Sequence, residues 1–457
     1  MGAVTRRLLT LPLQLVYRSR KSSFLNRTSV LPWLGLAASL MVSFGVWHWA
    51  EYILVPTHTA QALAKGVPIG NNSDLYPRWL GAREVLLHHR DPYGADVTRE
   101  IQIGFYGRPL DPSKSSDPPF QESFVYPLYV VFLLTPTLAL PFRTVQEIFR
   151  WLLLFVTGCS VPLWMYAIGF RPRPLLTVTA IVLVLSSYPA VLEFHMQNLA
   201  AVALFFLAAG AAAAVRDWLV LSGFLLALAT FRPDISGLVI LWFLLWALAR
   251  WSERKRLMYS FAGSMAALVV AAEAVLPHWI AKFLTAVREY PAYGDDPSVL
   301  QLFLPSFLAK LFAAALVCTL VVLCWRWKKA SPGSAEFAWA LAWVSAVTIA
   351  VLPKLAGYNQ PLLLPALLVL LVQRRAISNA GFVPRSLANL AFGCQLWQWV
   401  TAIVLSLCSL LMPPGQLSAV ALVPEYTLFS LSALTVAAVI AATFPRWRVN
   451  GPPWTEA

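Results

Sequence analysis

Asp74 is the first residue of this chain whose type and position could do chemistry. It lies in the longest polar segment, 56–123, directly before a stretch with helical spacing. A carboxylate held there could act as a general base, and a positioned base typically raises a rate by about 10²- to 10⁴-fold. The alternative is structural, because Ser73 or Asp74 could each cap the helix by accepting its first free amides. The sequence leaves both interpretations open.

The residues after Asp74 predict a short amphipathic helix. Its apolar face repeats at spacings of four, three and four residues, at Leu75, Trp79, Ala82 and Leu86. Asp91-Pro92 would end it, because the residue before a proline disfavours the helical conformation. A helix of this kind lies in the membrane interface. We therefore expect Trp79 at the depth of the lipid headgroups.

A second group, Arg232-Pro233-Asp234, stands between two short apolar runs. A charge at the membrane centre costs about 2.5–3.5 kcal/mol on insertion scales, so an ionisable residue there is a functional candidate. In one interpretation Arg232 and Asp234 pair and cap the helix that starts at Ile235. In the other, the guanidinium of Arg232 binds a phosphate, whose two oxygens match its fork.

Other polar residues collect at the ends of apolar runs. Glu193 to Asn198 is a compact polar link that contains His195. A lone histidine is more often a satisfied hydrogen-bonding residue than a base. Tyr358 and Asn359 follow Lys354 and open another apolar run. Acids, bases and tyrosines also recur along the rest of segment 56–123, where the alternative is a surface loop tied by solvated ion pairs.

These groups must be positioned by membrane helices. The chain has 457 residues, of which 59% are hydrophobic and 12% charged, against roughly half and a quarter in soluble domains. This composition excludes a soluble globular protein. The net charge of +14 and the 19 Trp residues indicate membrane topology rather than nucleic-acid binding, because the basic residues fall in short links between apolar runs. All five cysteines lie in apolar runs, which argues against disulfides or a zinc site.

The apolar runs predict an all-α polytopic membrane protein. Thirteen runs are long enough to consider, at 32–55, 124–142, 146–170, 175–192, 196–215, 217–231, 235–249, 257–277, 303–325, 335–352, 355–373, 387–412 and 420–444. Lys and Arg concentrate on cytoplasmic loops, and their distribution fits about 12 crossings with both termini inside. Run 124–142 is the one we expect not to cross, because it is short and carries three prolines.

This topology divides the chain into a cytoplasmic segment 1–31, one membrane domain 32–444 and a cytoplasmic tail 445–457. Segments 56–123 and 278–302 become the large outer loops, and the polar groups above all face the non-cytoplasmic side. The sequence lacks a phosphate-binding Gly-rich loop followed by Lys and Ser or Thr, an Asp-x-Asp pair and a G-x-S-x-G elbow. An ATP-driven pump, a metal-bound sugar nucleotide and a serine hydrolase are therefore disfavoured.

The order of the motifs resembles glycosyltransferase family 87, which comprises polytopic GT-C-type enzymes including bacterial polyprenyl-phosphate-mannose-dependent mannosyltransferases. After Asp74, the matching motifs are Leu-x-x-x-x-Asp-Pro-Tyr (86–93), Phe-Val-Tyr-Pro-Leu (124–128), Gln-Asn (197–198), Arg-Pro (232–233) and Leu-Leu-Leu-Pro (362–365). They span roughly 70 to 375. The family often has Lys at the position of Arg232 and a His-containing motif where this chain has Tyr358-Asn359-Gln360. The resemblance therefore carries over no His role and leaves the sugar and the acceptor open.

The resemblance implies a GT-C-like fold and an inverting hexosyltransferase in a cell membrane, the bacterial inner membrane by analogy. Asp74 would be the general base, and Arg232, with Arg78 and Arg83, would bind the donor phosphate. Sugar and acceptor contacts are expected from Asp91, Tyr93, Arg99, Glu100, Tyr126, His195, Gln197, Asn198, Asp234, Tyr358 and Asn359.

The expected partners are a polyprenyl-phosphate sugar donor, a lipid or glycan acceptor and bilayer lipids, with no nucleic acid, no metal and no cofactor. The donor sugar would be a hexose, with mannose favoured by the resemblance. Two alternatives stay open: a transporter or flippase of a lipid or solute, and a non-catalytic envelope-assembly protein.

Overall fold

The computed structural model describes residues 30–64, 73–111, 113, 117, 122–289, 297–353 and 356–443, and these residues form helices without a β-strand. The helices are α1 (Val30–Ala64), α2 (Leu75–Leu87), α3 (Ala95–Tyr106), α4 (Val130–Leu134), α5 (Phe142–Ala167), α6 (Pro174–Leu185), α7 (Tyr188–Met196), α8 (Ala200–Val215), α9 (Leu219–Ala229), α10 (Pro233–Leu248), α11 (Trp251–Val275), α12 (Trp279–Glu289), α13 (Ser306–Trp327), α14 (Ala335–Val351), α15 (Leu364–Val372), α16 (Arg374–Asn379), α17 (Phe382–Cys408), α18 (Pro414–Leu417) and α19 (Thr427–Thr443). The all-α prediction is confirmed.

Five of the described helices are long and apolar enough to cross a membrane: α1, α5, α11, α13 and α17. Helices α6 and α7 would add a sixth as one broken span, because they meet at a bend of 58°. Helices α8, α9, α10, α14 and α19 are apolar but shorter, as is the segment Gly357–Val372. The structure is thus that of a helical membrane protein, and twelve crossings remain a prediction.

Several predicted boundaries differ from the structure. The first apolar helix continues past residue 55 to Ala64 through a π-helical stretch at Ala50–Leu54, so it is longer than the predicted run 32–55. Run 175–192 is broken at Ser186 and Ser187. Run 124–142 holds only the five-residue α4 and a short 3₁₀ turn, Thr135–Thr137, before α5 begins. Proline's missing amide explains why no long helix forms there.

The predicted helix after Asp74 is present as α2, but its surroundings are different. It ends at Leu87, before Asp91-Pro92. Trp79 is buried within the protein rather than exposed to headgroups: its ring packs on Phe142 and its indole nitrogen donates to the carbonyl of Thr137 at 3.4 Å. Protein rather than lipid therefore covers this face of α2, where α4 and α5 pack, and the depth of Trp79 in a membrane stays a prediction.

The core forms around α8 and α14, whose residues are mostly buried. Helix α8 is rich in alanine and packs against both α5 and α9, while α14 packs against α13, α15 and α19. Small side chains let helix backbones approach closely in membrane proteins. Large apolar side chains such as Phe44, Phe155 and Phe307 are exposed on α1, α5 and α13, where lipid would solvate them.

Candidate active site

Asp74 is fixed by the turn that separates α7 from α8. Its backbone amide donates to the carbonyl of Met196 at 2.7 Å, and the neighbouring Ser73 hydroxyl donates to Gln197 Oε1 at 2.6 Å. Gln197 has a left-handed conformation with φ of 54°, which ends α7 and redirects the chain. The start of α2 is therefore attached to a distant turn, since Ser73 and Gln197 are 124 positions apart in the sequence.

The side chain of Asp74 does not cap α2. No cap bond forms from Asp74, and the amide of Leu75 instead lies 3.3 Å from the Ser73 hydroxyl, which accepts from it. Asp74 Oδ2 accepts from Asn198 Nδ2 at 2.7 Å. Asp74 Oδ1 accepts no hydrogen bond from the part of the chain that the structure describes. One carboxylate oxygen thus orients the group while the other remains available to a ligand.

Asn198 connects Asp74 to Arg232. Its Oδ1 accepts from Arg232 Nη1 and from the amide of Ala200 at 3.0 Å. The second bond satisfies the first amide of α8. Asn198 is 2% exposed. A buried amide that donates to a carboxylate and accepts from a guanidinium has both polar ends satisfied. Asn198 therefore holds Asp74 and Arg232 at a fixed separation.

Arg232 uses every donor that a guanidinium has. Its Nε and Nη2 donate to the two carboxylate oxygens of Asp234 at 3.0 and 2.9 Å. The remaining N–H groups reach Asn198, the Tyr126 hydroxyl at 3.2 Å and Asn359 Oδ1 at 3.1 Å. Arginine carries five N–H donors, and the side chain is buried. A phosphate could bind Arg232 only by replacing one of these bonds.

The capping interpretation of the Arg232 segment describes part of the arrangement, and phosphate binding by Arg232 stays a prediction. Arg232 and Asp234 do pair at the start of α10, as the capping interpretation expects, but three other residues share the guanidinium. The 3₁₀ segment Gly357–Leu363 supplies Asn359 and places the Tyr358 ring 6.0 Å from Arg232 Cζ. Lys354 lies outside the described residues.

Arg78 approaches the same cluster and, like Arg232, lies close to the Tyr126 ring. Its guanidinium carbon lies 4.7 Å from the Tyr126 ring centroid, and that of Arg232 lies 5.8 Å from it. Arg78 Nη1 donates to the carbonyl of Asp74 at 2.6 Å and lies 4.0 Å from Glu122 Oε2. Arginine faces stack favourably on aromatic rings. Tyr126 therefore positions two cations beside Asp74.

Two carboxyl groups of this cluster were not singled out from the sequence. Glu193 on α7 is 2% exposed; its Oε1 accepts weakly from the Ala201 amide at 3.4 Å, and its Oε2 has no hydrogen-bond partner among the described residues. The Glu122 side chain is 20% exposed. Burial raises the pKa of Glu122 to about 7, the Arg78 charge opposes this shift and the Asp74 charge adds to it. Only long-range packing brings these acids to Asp74, so local spacing carried no signal for them.

Residues 91–100 support the cluster from outside. The Tyr93 hydroxyl donates to the carbonyl of Tyr126 at 2.6 Å, which fixes the backbone of that tyrosine. Asp91 accepts from the Tyr93 amide at 3.0 Å and from Lys282 Nζ on α12 at 2.7 Å. These contacts attach the α2–α3 turn to α12 and to the backbone at Tyr126.

Several other acids and bases of this loop form ion pairs with one another. Arg90 binds Glu84, Asp96 and Glu100 at 2.8, 2.9 and 2.7 Å, and links α2 to α3. Hydrogen bonds to Glu100 and Asp96 raise the pKa of Arg90. Arg99 is exposed. Glu100 and Arg99 are thus not brought to Asp74, and the interpretation of a loop tied by ion pairs describes this part.

Arg83 and His195 also lie apart from the Arg232 cluster. The Arg83 guanidinium carbon is 5.4 Å from the Trp79 ring of its own helix. His195 Nε2 lies 3.7 Å from Glu51 Oε1, and its ring contacts Trp47. The structure therefore gathers seven of the predicted residues, namely Asp74, Arg78, Tyr126, Asn198, Arg232, Asp234 and Asn359, with Gln197, Tyr93 and Tyr358 adjoining them.

No protein-family model, curated protein or solved structure matches this chain. Among the described residues, no group of three or more His, Cys, Asp or Glu side chains is placed to hold a metal ion. The function must therefore be argued from the geometry of the Asp74 cluster.

Proposed function

We propose that the protein is a membrane glycosyltransferase with Asp74 as its general base. The observation that carries the proposal is the Asp74 carboxylate, which Asn198 holds through Oδ2 while Oδ1 accepts no hydrogen bond from the described residues. A general base needs an oriented acceptor within hydrogen-bond reach of the proton that it removes. The donor would be a polyprenyl-phosphate hexose, with mannose favoured by the family resemblance, and the acceptor a hydroxyl of a lipid or glycan.

The chemistry balances without a second acid. The acceptor O–H gives its proton to Asp74 as its oxygen attacks the anomeric carbon from the face opposite the phosphate. The bond between the anomeric carbon and the phosphate oxygen breaks, so the configuration inverts and the lipid leaves as a phosphate monoester. Phosphate is a weak base, unlike the alkoxide that a glycosidase must protonate. Cationic donors stabilise the charge that develops on it.

Arg78 is the better candidate for that contact, because its pairing with Glu122 at 4.0 Å is loose enough to be displaced, whereas Arg232 is held through all five of its N–H donors. Arg232 then acts as a positioning residue that holds Asn198 and, through it, Asp74. Arg78 is 12% exposed, lies close to the Tyr126 ring and is next to the backbone of Asp74. A phosphate bound there would place the anomeric carbon near the base. We further propose the predicted topology, with twelve crossings and this cluster on the outer face of a cell membrane.

Replacing Asp74 tests the proposal. The variant Asp74→Asn keeps the shape of the side chain and removes its basicity, so transfer from radiolabelled polyprenyl-phosphate sugars to membrane acceptors should fall at least about 100-fold. Asp96→Asn is the matched control, because Asp96 is exposed and pairs with Arg90, and it should retain transfer within about twofold. Transfer by Asp74→Asn at the wild-type rate, in protein that elutes normally on gel filtration, would refute the assignment.

A lipid transporter or flippase is the second candidate, favoured by the break between α6 and α7. Discontinuous helices often form substrate sites in transporters. The 58° bend lies between α6 and α7, and α7 leads directly into Gln197 and Asn198. Liposomes containing the purified protein separate the two functions. Movement of a fluorescent polyprenyl-phosphate lipid between leaflets without any sugar transfer would favour the transporter, and transfer to an acceptor would favour the enzyme.

A further inference from the structure

Glu122 occupies the space beside Arg78 where a ligand phosphate would bind. We propose that Glu122 controls binding of the donor phosphate at this site. Its carboxylate attracts Arg78 in the ligand-free protein and, on taking up a proton, gives way to the phosphate of the donor. This inference rests on the proposed function, since it concerns binding of the donor. It adds a residue and a proton to that function.

The contact between Glu122 and Arg78 is suited to displacement. Glu122 Oε2 lies 4.0 Å from Arg78 Nη1, within the range of an ion pair but too far for a hydrogen bond. The Arg78 nitrogen is instead hydrogen-bonded to the carbonyl of Asp74 at 2.6 Å. A phosphate that approached Arg78 would therefore meet a loosely held carboxylate and a well-held guanidinium.

Charge balance requires that a negative charge of the cluster be neutralised when an anionic ligand enters. Four carboxyl groups, those of Asp74, Glu122, Glu193 and Asp234, lie around two guanidinium groups, those of Arg78 and Arg232. A phosphodiester adds another negative charge to this set. Like charges in a poorly solvated site repel strongly, so uptake of one proton is the simplest way to admit the ligand.

Glu122 is the carboxyl group best placed to take that proton. Asp74 and Asp234 accept hydrogen bonds from side chains, and Glu193 is 2% exposed and cut off from solvent. The Glu122 side chain is 20% exposed, so it can exchange protons with water. Arg78 and Asp74 are the charged groups that act on it, and with burial they bring its pKa to about 7.

The expected effect on binding follows from this pKa. If only the protonated form of Glu122 admits the ligand, Kd rises about tenfold between pH 6 and pH 8. The probe should be polyprenyl methyl phosphate in lipid nanodiscs, because a phosphodiester keeps a single negative charge throughout this range. At pH 7 binding should also take up about half a proton, which calorimetry in buffers of different ionisation enthalpy measures on the wild-type protein alone.

The variant Glu122→Gln mimics the protonated side chain. It should bind the probe at pH 8 about as tightly as at pH 6, and so about tenfold more tightly than wild type at pH 8. Glu147→Gln, which removes an exposed acid on α5 paired with Arg150, should keep the wild-type pH dependence. A structural role for Glu122 would weaken binding rather than strengthen it at high pH.

The outcomes separate this inference from the proposed function. A wild-type Kd that is the same at pH 6 and pH 8, with no proton uptake, would overturn the role of Glu122 while leaving the donor class intact. A tenfold pH dependence that persists in Glu122→Gln would also overturn it. If wild type does not bind the phosphodiester at either pH, the polyprenyl-phosphate donor and this inference both fall.

Discussion

The variant Asn198→Asp tests whether the hydrogen bond to Asp74 is what makes that carboxylate a base. Asparagine and aspartate have the same shape, so the new side chain keeps its acceptor toward Arg232 Nη1 and toward the Ala200 amide. What it loses is the Nδ2 donor that lies 2.7 Å from Asp74 Oδ2. An oxygen takes that place, and two carboxylates then face each other.

The size of the effect follows from this distance. Two unit charges 2.7 Å apart repel by about 6 kcal/mol at an effective dielectric constant of about 20. One of the two carboxyl groups will therefore hold a proton at neutral pH, as in carboxylate pairs that share a site. Arg232 Nη1 donates to the new side chain and favours its charged form, so the proton stays on Asp74, which is then unavailable as a base. We expect sugar transfer to fall at least about 100-fold.

The assay combines transfer with thermal unfolding, followed by tryptophan fluorescence in detergent. Asn198→Asp should keep a thermal midpoint close to wild type, because Arg232 retains a charged partner. The companion variant Asn198→Ala removes the acceptors for both Arg232 and Ala200, and leaving such groups unsatisfied costs about 1–3 kcal/mol each, so its midpoint should fall clearly. Transfer by a folded Asn198→Asp protein within twofold of wild type would refute the reasoning.

Two further predictions concern stability. Gly81→Ala should destabilise the protein by about 1–3 kcal/mol, since its new Cβ would overlap the Phe124 ring. Gly237→Ala, where nothing lies within 4 Å of the added Cβ, should not destabilise it. The thermal midpoints of the two purified variants check this, and equal midpoints would contradict it. The raised pKa of Glu122, about 7, means that its protonated form favours the folded state, so this stabilisation is lost as pH rises from about 4.5 to beyond 7. The wild-type midpoint should therefore fall relative to that of Glu122→Gln between pH 5 and pH 8, and a constant difference would argue against the shift.

The sequence predicted the kind of protein well and its helix limits less well. Long apolar runs with few charges predict membrane helices because the bilayer core offers no partner for a backbone amide, and α5, α11, α13 and α17 lie close to predicted runs. The break at Ser186 and Ser187 was missed, since hydropathy does not reveal a bend. The burial of Trp79 was not predicted, because its spacing shows an apolar face but not whether lipid or protein covers it.

The candidate site shows the same division. Residue types alone drew attention to Asp74, Arg232 and Asn198, because charged and amide groups are costly in a membrane protein unless they are paired or used. Their pairing could not be predicted, since Asn198 and Asp74 are separated by 124 positions and Arg232 and Asn359 by 127. Glu122 and Glu193 were passed over because nothing in their local sequence distinguishes them from ordinary polar residues.

The sequence by itself therefore determined that this chain is helical, that it belongs in a membrane and which few polar residues its apolar helices must accommodate. Composition and hydrophobic run length are local properties, and each helix satisfies its own backbone hydrogen bonds. Only the tertiary structure decided that Asn198 orients Asp74, that Arg232 has all of its donors engaged and that Arg78 lies 4.0 Å from Glu122. Those relations depend on the approach of helices distant in the chain, which packing sets and no short motif encodes.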